Sequence, residues 1–158
     1  MRATLCFLGA LAMTAPLLAE DAPFAQSPRP AARISDPSVP ALGDIMLIAQ
    51  LRHMKVWYAG RSRNWALMAH EVQRLQDDLI RAALLYENIP VEEVAKTSGP
   101  IANMVAASRR MDSAQFDAAY AELTGACNSC HKAGGVDYIR IQTPSSSPFS
   151  DQAYPTAP

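Results

Sequence analysis

Residues 112–135, DSAQFDAAYAELTGACNSCHKAGG, decide the fold. Asp112 can cap a helix N-terminus with its side chain, and Gln115, three residues on, can reach back to complete a capping box. Phe116, Tyr120, Leu123, Cys127 and Cys130 then recur at helical spacing and share one face. Gly134-Gly135 ends the run, since glycine readily takes the conformation that closes a helix. This apolar face predicts a helix packed against others, with the two cysteines continuing its core stripe.

Three more helical patterns lie upstream. The first covers residues 41–60, where Met46, Ala49, His53, Val56 or Trp57, and Gly60 fall on one face. The second starts at Asn64, a good N-cap, and fades at Asn88 before Pro90. Its stripe is Met68, Val72, Leu75, Leu79, Ala82 and Tyr86, while Glu71, Arg74, Asp77, Asp78 and Arg81 lie mostly off it and read as solvated. The third opens at Ser98-Gly99-Pro100, with proline tolerated in a first turn, and carries Ile101, Met104, Val105, Ser108 and Met111. Residues 91–96 can add a short helical turn. Four amphipathic helices with short connections, no alternating strand and no internal repeat predict an all-α, antiparallel four-helix bundle.

The chemistry is concentrated in Cys127-Asn128-Ser129-Cys130-His131. Thiols three residues apart on a helical turn can each add to a vinyl group of one porphyrin, and the next residue can offer its imidazole to the iron. The pattern therefore predicts one covalent c-type haem, bound through Cys127 and Cys130, with His131 as proximal iron ligand. Two alternatives use similar residues. A dithiol redox pair places its reactive thiol at a helix N-terminus, where the helix dipole favours thiolate; here the thiols lie near a C-terminus, where it opposes it. Structural zinc needs about four ligands, and the motif supplies three with no second cluster.

An attachment motif near the end of the last helix of a four-helix bundle, in a chain with an export signal, resembles the class II c-type cytochromes, the cytochromes c-prime and their low-spin relatives. The resemblance spans roughly residues 41–140 and beyond CNSCH is one of pattern. It implies thioether bonds at Cys127 and Cys130, proximal ligation by His131, and a function in single-electron transfer between redox partner proteins. The family often follows its histidine with an aromatic-basic pair; here Tyr138 and Arg140 come later, after an inserted Gly-Gly.

The sixth ligand separates two functions. Methionine there makes a low-spin electron carrier; an apolar residue leaves an open site that can bind small gases such as NO or CO, the alternative reading. In an antiparallel bundle the end of the fourth helix lies level with the start of the first, which brings Met46 to the haem. Met54 lies about 12 Å further along the axis. Met46 is thus the expected distal ligand, with His53 and Met104 as competitors and simple packing as the bland reading of all three. His70 lies near the other end and reads as surface. Arg52, Arg61 and Arg63 are candidate propionate partners, against the commoner role of snorkelled surface arginine. Trp57, Tyr58, Phe116 and Tyr120 could line the pocket or bound a tunnelling route, against their commoner role in helix packing. Lys132 could add to a docking rim.

The remaining sequence sets the compartment. Residues 1–19, MRATLCFLGALAMTAPLLA, have the charged start, apolar middle and small-residue end of a signal peptide, which predicts export to the periplasm. Cys6 would leave with it, so Cys127 and Cys130 would be the only thiols of the mature chain. This agrees with the motif, because c-type haem is attached outside the bacterial inner membrane. Residues 20–40 form a Pro-rich leader and residues 141–158 a Pro/Ser-rich tail, flanking a cytochrome domain over 41–140. The tail could lie over the haem edge or hang free. The 158 residues carry 14 basic and 15 acidic side chains, a formal net charge of −1, with no basic run for nucleic acid. No catalytic constellation is visible and no segment besides the signal is apolar enough to cross a membrane. Pairing of two bundles through their first helices is left open.

Overall fold

A computed structural model describes residues 38–156. The predicted signal peptide, most of the leader and Cys6 lie outside these residues. Within them the chain forms four long helices and one short one: α1 Leu42–Arg61, α2 Trp65–Leu85, α3 Val91–Lys96, α4 Ser98–Arg110 and α5 Ser113–Ala133. No strand occurs among the described residues.

Local chemistry sets the boundaries. Asn64 Oδ1 accepts from the Leu67 backbone N–H at 3.1 Å and starts α2. Asp112 Oδ1 accepts from the Gln115 N–H at 3.0 Å and starts α5. The expected capping box is only half made, because the Gln115 side chain accepts from the Arg110 guanidinium instead of reaching back. Charge explains the choice: a cationic donor is the stronger partner for an amide oxygen. Between α1 and α2, Arg63 adopts a left-handed conformation (φ 58°) that reverses the chain in a few residues. Met111 does the same after α4 (φ 55°). It is therefore an exposed cap and not the last stripe residue of that helix.

The long helices surround one core. α1 packs on α2, α2 on α4 and α4 on α5, while α3 lies against α5. Phe116, Tyr120 and Leu123 of α5 are fully enclosed by Val56 and Ala59 of α1, Met68, Val72 and Leu75 of α2, and Met104 of α4. Gly60 is fixed by this packing: a β-carbon there would overlap the ring of Phe116. On α1 the enclosed residue near the start is Ile45, with Met46 only half-buried beside it.

Two residues expected in solvent are inside. Glu71 and Asp78, two turns apart on α2, are both buried. Arg52 of α1 bridges them, with Nη1 at 2.9 Å from Glu71 and Nε at 2.8 Å from Asp78. One guanidinium presents enough donors for both carboxylates, which is why a charged triad survives at this interface. At the end of α2, Tyr86 donates its hydroxyl hydrogen to the Pro40 carbonyl (2.7 Å), tying that end to the start of α1.

Candidate functional site

Cys127, Cys130 and His131 occupy the last two turns of α5, next to α3. Cys127 packs against the core and Cys130 is half-buried; neither is disulfide-bonded. Burial, with Cys130 beside it, pushes the Cys127 thiol up to about 11, and burial and Glu93 raise that of Cys130. Both are held as neutral thiols, the opposite of the lowered pKa that an attacking thiolate requires. Among the described residues no three His, Cys, Asp or Glu side chains gather as a metal ion bound by protein alone would need.

His131 has one ring nitrogen engaged. Nδ1 lies 2.7 Å from the Ile139 carbonyl oxygen. A carbonyl only accepts, so Nδ1 carries a hydrogen, and the tautomer this bond selects has its lone pair on Nε2. The chain reaches that position through a tight reversal. Gly134 N–H donates to Cys130 O (2.8 Å), Gly135 takes a left-handed conformation (φ 73°), and Val136 N–H donates to His131 O (2.8 Å). Beyond it, Asn128 and Ile141 bond in both directions: Asn128 Nδ2 donates to Ile141 O and Ile141 N–H donates to Asn128 Oδ1, each at 2.8 Å. Ser129 faces elsewhere and donates to Glu93 of α3 at 2.7 Å.

The tail does not hang free. After Ile141 it returns to α1, where Lys55 lies over the Phe149 ring (5.1 Å), Tyr154 lies tilted against Tyr58 (5.8 Å) and Thr156 donates to the Ser62 carbonyl (3.2 Å). Tyr154 also packs against the core.

The other expected site residues are accounted for in different ways. His53 is buried with both nitrogens engaged: Nδ1 is 2.9 Å from the Tyr120 hydroxyl and Nε2 is 3.0 Å from Thr124 Oγ1. Thr124 donates its own hydrogen to the Tyr120 carbonyl (2.9 Å), so it accepts from His53 Nε2–H, and Tyr120 donates to Nδ1. Burial holds the ring neutral, lowering its pKa to about 4. Met104 is fully enclosed in the core. Arg52 is committed to Glu71 and Asp78; Arg61 pairs with Asp117 (3.1 Å) and lies over Trp57 (5.5 Å). Trp57 stacks on Phe116, and Tyr120 lies tilted against both, with Trp57 and Tyr120 centroids 4.9 Å apart. His70 and Lys132 are exposed.

Sequence reasoning passed over Asn128, Ile139 and Ile141. Their only signal was an amide between the cysteines, able to donate and accept at once. No protein-family model, curated protein or solved structure matches the chain.

Proposed function

We propose that this chain is a periplasmic mono-haem c-type cytochrome, an antiparallel four-helix bundle that passes single electrons between redox partner proteins. The observation that carries the reading is the state of His131. Its Nδ1–H is given to a backbone carbonyl while Nε2 keeps its lone pair, the arrangement typical of metal-ligating histidines. Beside it stand two free cysteines on one helical turn, as thioether formation to a porphyrin requires. A bound haem would supply the ferric/ferrous couple.

The protein residues divide the work. Cys127 and Cys130 would hold the porphyrin through thioether bonds, and His131 Nε2 would be the proximal iron ligand. Met46 is the proposed distal ligand. His53 faces Thr124 across α1 and α5. Seven residues back along α1 is Met46, and seven residues on along α5 is His131, both displaced by about 10 Å in the direction that keeps them opposite one another. The half-burial of Met46 leaves its thioether free of the core packing that encloses Met104. His53 is a poor rival, because ligation would break a hydrogen bond at one nitrogen inside the core. No second chemistry is assigned to the chain, which is read as a carrier and not as an enzyme.

The test is to mature the full chain with a haem-attachment system, stain it for haem on a denaturing gel, and record visible and near-infrared spectra with and without carbon monoxide. Colour that survives denaturation in the wild type and disappears when Cys127 and Cys130 are both changed to Ala is expected. A methionine-to-iron band that is lost in Met46→Ala supports the closed carrier. A high-spin spectrum that shifts with carbon monoxide would replace it with the gas-binding protein. A colourless wild type would end both readings.

A further inference from the structure

We propose that Asn128 is a positioning residue for the iron ligand: its amide clamps the main chain at Ile141 and so keeps the Ile139 carbonyl on His131 Nδ1. The inference rests on the cytochrome reading and deepens it.

The segment that carries the Ile139 carbonyl is almost wholly in solvent. Tyr138 is 69% exposed and Ile139 45%, and Asp137 and Arg140 are exposed as well. Hydrophobic burial therefore gives residues 137–140 little anchorage. Upstream, backbone bonds from Gly134 to Cys130, Gly135 to Lys132, Val136 to His131 and Ile139 to Val136 form a turn but leave its far side open. Downstream, the first contact after Ile139 is the two-way bond between Asn128 and Ile141. The next hydrogen bond or ring contact from the tail to the helices is that of Phe149 with Lys55. Asn128 is thus the point that closes the ring from His131 out to Ile139 and back to α5.

The residue type suits the task. An asparagine amide presents a donor and an acceptor side by side, matching the C=O and N–H of a single extended residue. Alanine offers neither, and aspartate only the acceptor. Neighbouring Ser129 cannot substitute, since its hydroxyl is spent on Glu93. Asn128 also sits one turn before His131 on the same helix, so the clamp and the ligand move as one rigid piece.

The consequence for the iron follows from the hydrogen bond at Nδ1. Donation to a carbonyl raises the basicity of Nε2 and fixes the ring plane. A more basic ligand favours ferric over ferrous iron, so a held carbonyl lowers the reduction potential and a released one raises it.

The experiment uses the full haem-bearing chain as wild type, Asn128→Ala, Asn128→Asp and Ile141→Pro. The proline removes the Ile141 N–H without touching α5, which guards against a helix that fails to fold. Amide exchange at Ile139 and, where present, Ile141 is expected to speed up about tenfold or more in Asn128→Ala, as loss of one or two hydrogen bonds would give. The reduction potential should rise in the same variant, rise also in Ile141→Pro, and shift by an intermediate amount in Asn128→Asp. Faster exchange with an unmoved potential would overturn the proposal, and so would unchanged exchange. If the wild type carries no haem, the cytochrome reading fails by itself. The clamp is then judged on the haem-free chain by nitrogen-15 NMR of His131. The Nδ1–H tautomer should dominate in the wild type and give way to a mixture in Asn128→Ala; identical tautomer populations would sink it.

Discussion

The middle and the end of α5 treat a histidine in opposite ways. In the middle, Tyr120 and Thr124 close around His53 and use both of its nitrogens, with the Tyr120 ring tilted against it at 4.5 Å. At the end, His131 spends one nitrogen on a carbonyl and keeps the other free. The same side chain is a structural part where every polar atom is satisfied, and a candidate ligand where one is not. Burial sets the difference: an unpaired nitrogen in the core would cost about 1–3 kcal/mol, whereas near the surface water can serve it. Changes in the middle should therefore cost stability, and changes at the end should cost chemistry.

The largest test of that contrast is Phe116→Ala. The ring is fully enclosed between Trp57, Trp65 and Tyr120, so its loss should lower the unfolding free energy by about 3–5 kcal/mol in urea titration. A second test uses pH. Burial lowers the His53 pKa from 6.5 to about 4, so the unfolded chain binds a proton before the folded one does. The contribution is complete above pH 6.5 and is lost as pH falls toward 4, by about 3 kcal/mol at about 1.4 kcal/mol per unit. Urea midpoints measured across that window should slope in the wild type and flatten in His53→Gln. Tyr120→Phe is the third: it removes the donor to His53 Nδ1 and should cost about 1–3 kcal/mol with the haem spectrum unchanged. The smallest stability effect belongs to His131→Ala, about 0.5 kcal/mol or less by calorimetry of the haem-free chain. If that variant unfolds as easily as Phe116→Ala, the two ends of α5 are not different in kind.

How much of this could be read from the sequence depends on whether the information was local. Asn64, Asp112 and the Gly134-Gly135 pair marked helix ends because caps act within one turn. The core positions Phe116, Tyr120 and Leu123 followed from periodicity alone. Glu71 and Asp78 were misplaced because a buried carboxylate is legible only when its partner is known, and Arg52 sits 19 and 26 residues away. Ile45 and Met46 are adjacent and both apolar, so a stripe drawn from spacing could take either; packing chose Ile45. Gln115 fits a capping box by pattern, and a neighbouring guanidinium outbid the backbone. At the candidate site, CNSCH was plain in the sequence. The Ile139 and Ile141 contacts were not, since a Pro/Ser-rich tail has no periodicity from which to read a docked path.

The link from His53 to Tyr120 and Thr124 has a kinetic meaning as well. It joins residues 67 and 71 positions apart, while the Arg52 pairs close only 19 and 26. Closing the longer loop costs more chain entropy, so the α1–α2 hairpin can form early and the α1–α5 contact late. A bundle that closed with α1 slipped by one turn would set the His53 ring between Phe116 and Tyr120 or between Thr124 and Asn128, with one hydroxyl to meet it where the native register supplies two. The imidazole thus serves as a register check on the final assembly step, admitting one alignment of α1 with α5 and penalising its neighbours.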